Sequence, residues 1–177
     1  MASGQGPRRG VPLWVVLAVL AACALVLIRW LVDPLLRPEH PPLANCLSNV
    51  KNVSLAVQMY VSDYGDVFPP AARWSDTLLE YVRNEDVYRC PEAEELSCAY
   101  AYNAALGMAK DNDLARAAET IVIFESDRGW NAAGGRALLP AEPRHEGGDN
   151  YGLADGHARW VGREEVMSGQ AGLRWEP

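Results

Sequence analysis

The sequence predicts an α+β fold, a helix packed on a small antiparallel β-sheet, and three segments carry that prediction. Leu43, Cys46, Val50, Val53, Val57, Tyr60 and Tyr64 recur at intervals of three and four, the spacing of one face of an α-helix of about six turns. Thr120-Ile121-Val122-Ile123-Phe124-Glu125 is a short β-branched run of the kind that forms a buried strand. Arg144 to Val161 reads as a β-hairpin centred on Asp155-Gly156. A seam as regular as 43–64 also suits a coiled coil, but the strands downstream favour a helix packed on a sheet.

The hairpin fixes a predicted core. Asp-Gly suits a type I′ turn, which needs positive φ at both central residues. Counting outward pairs Leu153 with Ala158, Gly152 with Arg159 and Tyr151 with Trp160. One face then carries Tyr151, Leu153, Ala158 and Trp160 as the hairpin core. The other carries Asn150, Gly152, Ala154, His157 and Arg159. Gly152, Ala154 and His157 form a candidate docking face, because residues this small leave room for another backbone, from a partner or from a neighbouring element of the same domain.

The remaining elements follow in order. Residues 11–32 are almost wholly apolar apart from Pro12 and Arg29. As a helix they would extend roughly 33 Å, enough to cross a bilayer. Trp14 and Trp30 sit where interfacial aromatics belong. Residues 33–42 hold four prolines and read as a stiff linker. Gly65 suits the C-cap of the 43–64 helix, and Phe68-Pro69-Pro70 prevents its resumption. A shorter helix, capped by Ser75, runs to Asn84. Tyr100–Asn103 alternates weakly, and Arg136–Leu139 reads as an edge strand. The organisation expected is an N-terminal segment 1–10, a transmembrane anchor 11–32, a Pro-rich linker 33–42, a domain 43–162 and a C-terminal tail 163–177, and the charges flanking the anchor leave its orientation a near tie.

Charge excludes one class of partner. Of 16 basic and 23 acidic side chains, residues 43–177 hold 12 and 21. An acidic body with no basic cluster does not bind phosphate backbones, so no nucleic-acid partner is expected. Leu20-Ala21-Ala22-Cys23 matches a lipobox, which makes a lipoprotein acylated at Cys23 the main alternative to an uncleaved anchor, beside an ordinary cleaved export signal that exports the body as well. The apolar run continues through Ile28, where a lipoprotein would turn polar. Every version exports the body, where disulfides persist. Cys90 and Cys98 are the favoured pair because they are close in sequence, with Cys46 as the alternative partner.

Cys46-Leu47-Ser48-Asn49-Val50-Lys51-Asn52, Asp63-Tyr64-Gly65, Tyr88-Arg89-Cys90-Pro91, Ser97–Asn103, Glu119–Ile123 and the 144–161 cassette occur in this order. In that order they resemble the pilin-like H-x9-D-G domain family, whose members look like type II secretion pseudopilins. His145, nine residues, then Asp155-Gly156 is the signature motif. The resemblance covers about residues 43–161. It implies a pilin-like fold, an N-terminus in the cytoplasm, a single span of the cell membrane and an extracytoplasmic domain with a structural or assembly role. Its implied partner is another envelope protein. The chain departs from the family at Arg9-Gly10-Val11-Pro12-Leu13-Trp14, which lacks the prepilin peptidase site and its Glu. Polymerisation as a pilin is therefore not expected.

His145, Asp149, Asp155 and His157 offer two imidazoles and two carboxylates within thirteen residues. The hairpin places Asp155 in the turn and His157 on the outer face, so a structural role is expected for His145, Asp155 and Gly156, and no metal or cofactor. The rival reading is an exported Ca²⁺ sensor or binding module using Glu146–Asp149. A Cys90 or Cys98 nucleophile paired with His145 or His157 would sit among Glu92, Glu94 and Glu95, which disfavour a thiolate. No nucleophile elbow, phosphate loop or dinucleotide fingerprint is present. No enzyme activity and no small-molecule substrate are expected, and Glu125 and Asp127 read as a charged strand end at the surface.

Overall fold

The computed structural model describes residues 12–36 and 42–177, which divide into two compact units, one up to Glu39 and one from His40 onward. In the first unit, α1 (Leu13–Leu36) contains a 20-residue stretch, Leu13–Val32, of mean hydropathy 2.7 with none of its length buried. It is long and apolar enough to cross a membrane. The helix runs on through Pro34, so the first four residues of the expected linker are helical; a proline this near a helix end removes only one backbone bond. The rest of the linker up to Pro41, and the expected cytoplasmic segment 1–10, lie outside the described residues.

The second unit is α+β. α2 (Pro42–Asp63) and α3 (Trp74–Val82) precede a five-stranded sheet of β1 (Tyr100–Asn103), β2 (Ile121–Glu125), β3 (Ala133–Gly134), β4 (Gly148–Leu153) and β5 (Ala158–Gly162), and α4 (Arg163–Ser168) follows. The strand order is β3-β1-β2-β4-β5. β1 and β3 run parallel and the other pairs antiparallel, so the sheet is mixed rather than antiparallel throughout. α2 ends as expected at Gly65, where the Asp66 amide reaches back to the Val61 carbonyl at 2.9 Å. α3 starts at Trp74 without a cap from Ser75. Asn131 supplies it from a distant loop, its Oδ1 accepting from the Ser75 amide at 2.9 Å. The expected edge strand at 136–139 is a 3₁₀ turn, Arg136–Leu138, and the edge is β3 instead.

The hairpin forms, but one residue out of the expected register. Gly152 pairs with Ala158, Tyr151 with Arg159 and Asn150 with Trp160. The Gly156 amide bonds the Leu153 carbonyl at 2.9 Å, the Leu153 amide bonds the His157 carbonyl at 2.8 Å, and Gly156 has φ 88°. Asp155 is not left-handed, so the loop is a type I turn followed by a glycine bulge, which adds one residue to the two-residue turn expected. The positive-φ pair of a type I′ turn occurs nine residues earlier, at Glu146 (φ 49°) and Gly147 (φ 82°).

That slip turns Tyr151 and Leu153 to the face away from α2 while Ala158 and Trp160 keep the α2 face. Tyr151 and Leu153 are buried as expected, but on the side away from α2, with Ala101, Ile121, Phe124 and Val161. Trp160 is not beside Tyr151 in the core; it lies on the α2 side at the sheet edge, 37% exposed. Gly152 and Ala154 are not a docking face. A Cβ on Gly152 would lie 2.0 Å from Ser54 Oγ and 3.1 Å from Val50 Cγ1, and Gln58 Nε2 donates to the Ala154 carbonyl, so α2 occupies that face. Only His157 of the three is exposed.

The two sheet faces have separate covers. Val50, Val53 and Val57 of α2 pack with Tyr100, Tyr102, Val122 and Ile123. The opposite face is closed by Val166 and by Leu173 and Trp175, with the Trp175 ring 4.9 Å from Phe124. Residues 163–177 are therefore part of the domain rather than a tail. The Arg174 carbonyl accepts from the Ile121 amide at 2.9 Å, and the Trp175 carbonyl accepts from Asn103 Nδ2 at 2.8 Å. The disulfide joins Cys46 to Cys90, and Cys98 is free and buried, which corrects the expected Cys90–Cys98 pair.

Gly152→Ala is expected to lower unfolding stability by about 1–3 kcal/mol, the cost of overpacking a filled contact. Ser54→Ala in the same chain removes the nearest obstructing atom and should recover most of that loss. Urea unfolding of the two single variants and the double variant measures the coupling.

Candidate functional site

A buried polar cluster lies between the first turns of α2 and the sheet. β2 bulges between Ile121 and Ile123, so Val122 and Ile123 both face α2 and Phe124 faces away. The next residue returns to the α2 side. That residue is Glu125, with no exposed surface, and it corrects the expectation of a charged strand end at the surface. Asn150 of β4 is on the same side and equally buried. Its Nδ2 donates to Glu125 Oε1 at 2.8 Å.

His145 completes the pair. The Glu146-Gly147 turn brings its backbone against Gly148, with reciprocal bonds of 3.2 and 2.9 Å, and Trp160 Nε1 donates to its carbonyl at 2.8 Å. The ring is thereby held with Nε2 2.9 Å from Glu125 Oε1 and 3.6 Å from Cys90 Sγ. Cys46 arrives on the first turns of α2. Cys90 follows a 3₁₀ turn, Glu85–Tyr88, whose start is capped by Asn84. Both cysteines and His145 are at most 3% exposed.

The cluster is closed to solvent, yet its outer wall is not thick. A cleft of about 600 Å³ runs over Cys90, bordered by Asn45, Asn49, Asn84, Arg89 and Glu94. Asn49 Nδ2 and the Tyr100 hydroxyl both donate to the Arg89 carbonyl, at 3.0 and 3.2 Å, and pin this wall to α2 and β1. Among the described residues, Glu125 Oε2 and Asn150 Oδ1 are buried without a hydrogen-bond partner. Such atoms each cost on the order of 1–3 kcal/mol when they stay unpaired. The arrangement can hold a proton between imidazole and carboxylate, and it sets two sulfurs beside that imidazole.

The other residues singled out from the sequence are dispersed. Asp155 Oδ2 is 2.9 Å from His157 Nδ1 at the hairpin tip, and Asp155 Oδ1 accepts from the His157 amide at 3.0 Å. Asp149 faces away from α2 and is fully buried, where Arg163 holds both its oxygens and one contact measures 2.7 Å. Asp127 is exposed and pairs with Arg144, whose guanidinium also donates to the Ala99 and Ser126 carbonyls at 2.8 Å. The metal set His145, Asp149, Asp155 and His157 is thus not brought together. Glu125 and Asn150 are the members of this cluster that the sequence does not announce, Cys46 having been expected only as the alternative disulfide partner, and the inward turn of Glu125 follows from the neighbouring bulge.

Burial sets the remaining titrations. It pushes the Cys98 thiol up to about 11, against hydrogen bonds at the Tyr100 backbone and the Ser75 side chain and the nearby Arg144 charge. Burial likewise raises the Tyr100 hydroxyl, helped by the Glu125 carboxylate, and raises Tyr102. Cys98 should therefore resist alkylation at pH 8 in the native protein and react once it is unfolded, as peptide mass mapping would show. Both phenols titrate above 10.0 in the folded state, so these two groups leave stability unchanged well below pH 10, where the raised Cys98 thiol already begins to cost stability from about pH 9. Above pH 10 the unfolded chain releases its phenolic protons first, and stability should fall by up to about 1.4 kcal/mol per pH unit for each tyrosine. Thermal unfolding followed from pH 8 to 12 checks the onset. Compared with protein-family models, curated proteins and solved structures, the chain matches none.

Proposed function

We propose that the chain is a membrane-anchored, pilin-like extracytoplasmic protein with a structural or assembly role at the cell envelope, working with another envelope protein and without catalysis of its own. The observation that carries this reading is the pairing of two units. One is an apolar helix with no buried surface, and the other is a disulfide-linked module in which a long helix lies along one face of a sheet. An unburied apolar stretch of 20 residues finds its favourable environment in lipid, where a helix satisfies its own backbone bonds. A disulfide persists where the medium is oxidising, which supports an extracytoplasmic module with the N-terminus on the cytoplasmic side. The ordered motifs from Cys46 to Trp160 support the pilin-like assignment. Among the described residues Asp149 is held by Arg163 and Asp155 by His157, so neither carboxylate supports the Ca²⁺-sensor reading.

The full chain expressed in bacteria should stay with membranes through alkaline carbonate extraction. External protease should digest residues 42–177 in spheroplasts that still protect a cytosolic marker, and cross-linking in intact membranes should give a discrete larger species. A body protected from external protease, or release by carbonate, overturns the anchored topology. A chain that remains monomeric at every cross-linker dose overturns the assembly role. Intact mass distinguishes an unmodified anchor from a diacylglyceryl adduct at Cys23.

A further inference from the structure

We infer that Cys46, Cys90, His145 and Glu125 form a redox-gated Zn²⁺ site: a disulfide in the oxidised protein, and a closed four-coordinate metal centre once that disulfide is reduced. The sulfur atoms of both cysteines and His145 Nε2 lie within 4.8 Å of one another, and all three residues are buried. Two thiolates, an imidazole and a carboxylate are a donor set suited to Zn²⁺, and a set without an open position is the mark of a structural rather than a catalytic centre.

The edge between Cys90 and His145 agrees with a tetrahedron, and the one to Glu125 has to open. With Zn–S near 2.3 Å and Zn–N near 2.05 Å, a tetrahedral edge between sulfur and nitrogen measures about 3.6 Å. Cys90 Sγ and His145 Nε2 are 3.6 Å apart. The corresponding nitrogen–oxygen edge is about 3.4 Å. Glu125 Oε1 stands 2.9 Å from the same nitrogen, the length of a hydrogen bond, which an ion between the two would open by half an ångström. Asn150 Nδ2 holds that carboxylate in place.

A second observation points independently to a ligand. Among the described residues Glu125 Oε2 and Asn150 Oδ1 are buried in this cluster with no partner, on a carboxylate and an amide that have no exposed surface. A cation beside them offsets a cost that the hydrogen bonds of the disulfide form leave standing.

The exchange balances as follows. An external dithiol gives two electrons and two protons to the Cys46–Cys90 bond and leaves as its own disulfide. The S–S bond breaks, both sulfurs become thiols, and Zn²⁺ displaces their two protons to the solvent as it binds. Oxidation by a disulfide reverses the sequence and releases the ion. The Cα atoms of the two cysteines are 5.4 Å apart. Separating the sulfurs to about 3.8 Å, the tetrahedral sulfur–sulfur edge, needs side-chain rotation rather than movement of α2.

The test uses the full chain in detergent micelles, reduced with a phosphine and titrated with Co²⁺. One equivalent should give the visible bands of tetrahedral Co²⁺ and thiolate-to-cobalt charge transfer, both displaced by Zn²⁺. The oxidised protein should give neither. Cys46→Ser, Cys90→Ser and His145→Ala should each weaken binding by about 100-fold or more, Glu125→Gln by about 10-fold or more, and Cys23→Ser with Cys98→Ser should leave it unchanged. Circular dichroism accompanies each step. A reduced chain that loses its fold and regains it with Zn²⁺ supports the site. The inference is overturned if no tetrahedral signal forms, if the signal survives His145→Ala and Glu125→Gln, if it depends on Cys98, or if the reduced chain stays unfolded with Zn²⁺. None of these outcomes depends on the envelope role, which is read from topology and cross-linking.

Discussion

Helix α2 lies against the sheet at a distance that only a glycine at position 152 permits. Any larger residue there would occupy the space of Ser54 Oγ, and the helix would have to lift off β4. At the observed distance Val50, Val53 and Val57 are fully buried against the sheet, and complete burial of a valine is worth roughly 1.5–3 kcal/mol. The same approach seals the end of the layer nearest Cys46. Glu125, His145 and Asn150 lose water as a consequence and must satisfy one another. The helix–sheet contact and the polar cluster are thus two results of one constraint, apolar along most of the helix and polar at its start.

The disulfide secures that polar end. It links residues 44 apart, and closing a loop of this length in the unfolded chain is worth about 4 kcal/mol in entropic terms, against about 2.6 for the short loop between Cys90 and Cys98. The longer link ties the start of α2 to the segment carrying Tyr88, whose ring packs edge-on to Trp74 at 5.7 Å and to Trp130 at 5.0 Å. Cys98, left unpaired, fills a buried position beside β1 as a small apolar residue.

Much of this layout was legible because periodicity reports which face of an element is apolar. The 43–64 repeat, the 120–125 strand and the 144–161 hairpin all exist. What periodicity does not report is the partner of each face. Asp155-Gly156 marked the hairpin correctly, but Asp-Gly serves both a two-residue turn and a three-residue loop ending in a glycine bulge, and the two differ by one residue of register. One residue turns Tyr151 from the α2 side to the side closed by Trp175. The sequence reading also treated both sheet faces as if one were solvated, because nothing in 163–177 is periodic enough to announce that it covers a sheet. Leu173 and Trp175 pack there as single side chains on an irregular segment.

The polar cluster was hidden by a related limit. A glutamate at the end of an apolar strand is ordinarily a surface residue, and alternation from Ile121 through Ile123 places Glu125 on the same face as Ile121, away from α2. The bulge after Ile121 changes that parity, putting Ile121 on one face and both Ile123 and Glu125 on the other. Bulges depend on how the neighbouring strand pairs, which no window of the sequence contains. His145 could be singled out by its motif, yet its partners come from α2, from the loop before β1 and from β2, each more than 15 residues away in the chain. A site assembled from four separate elements leaves no local pattern. Its clearest sequence trace is the inward strand end itself, a carboxylate that the fold desolvates beside an imidazole and two sulfurs rather than leaving to water.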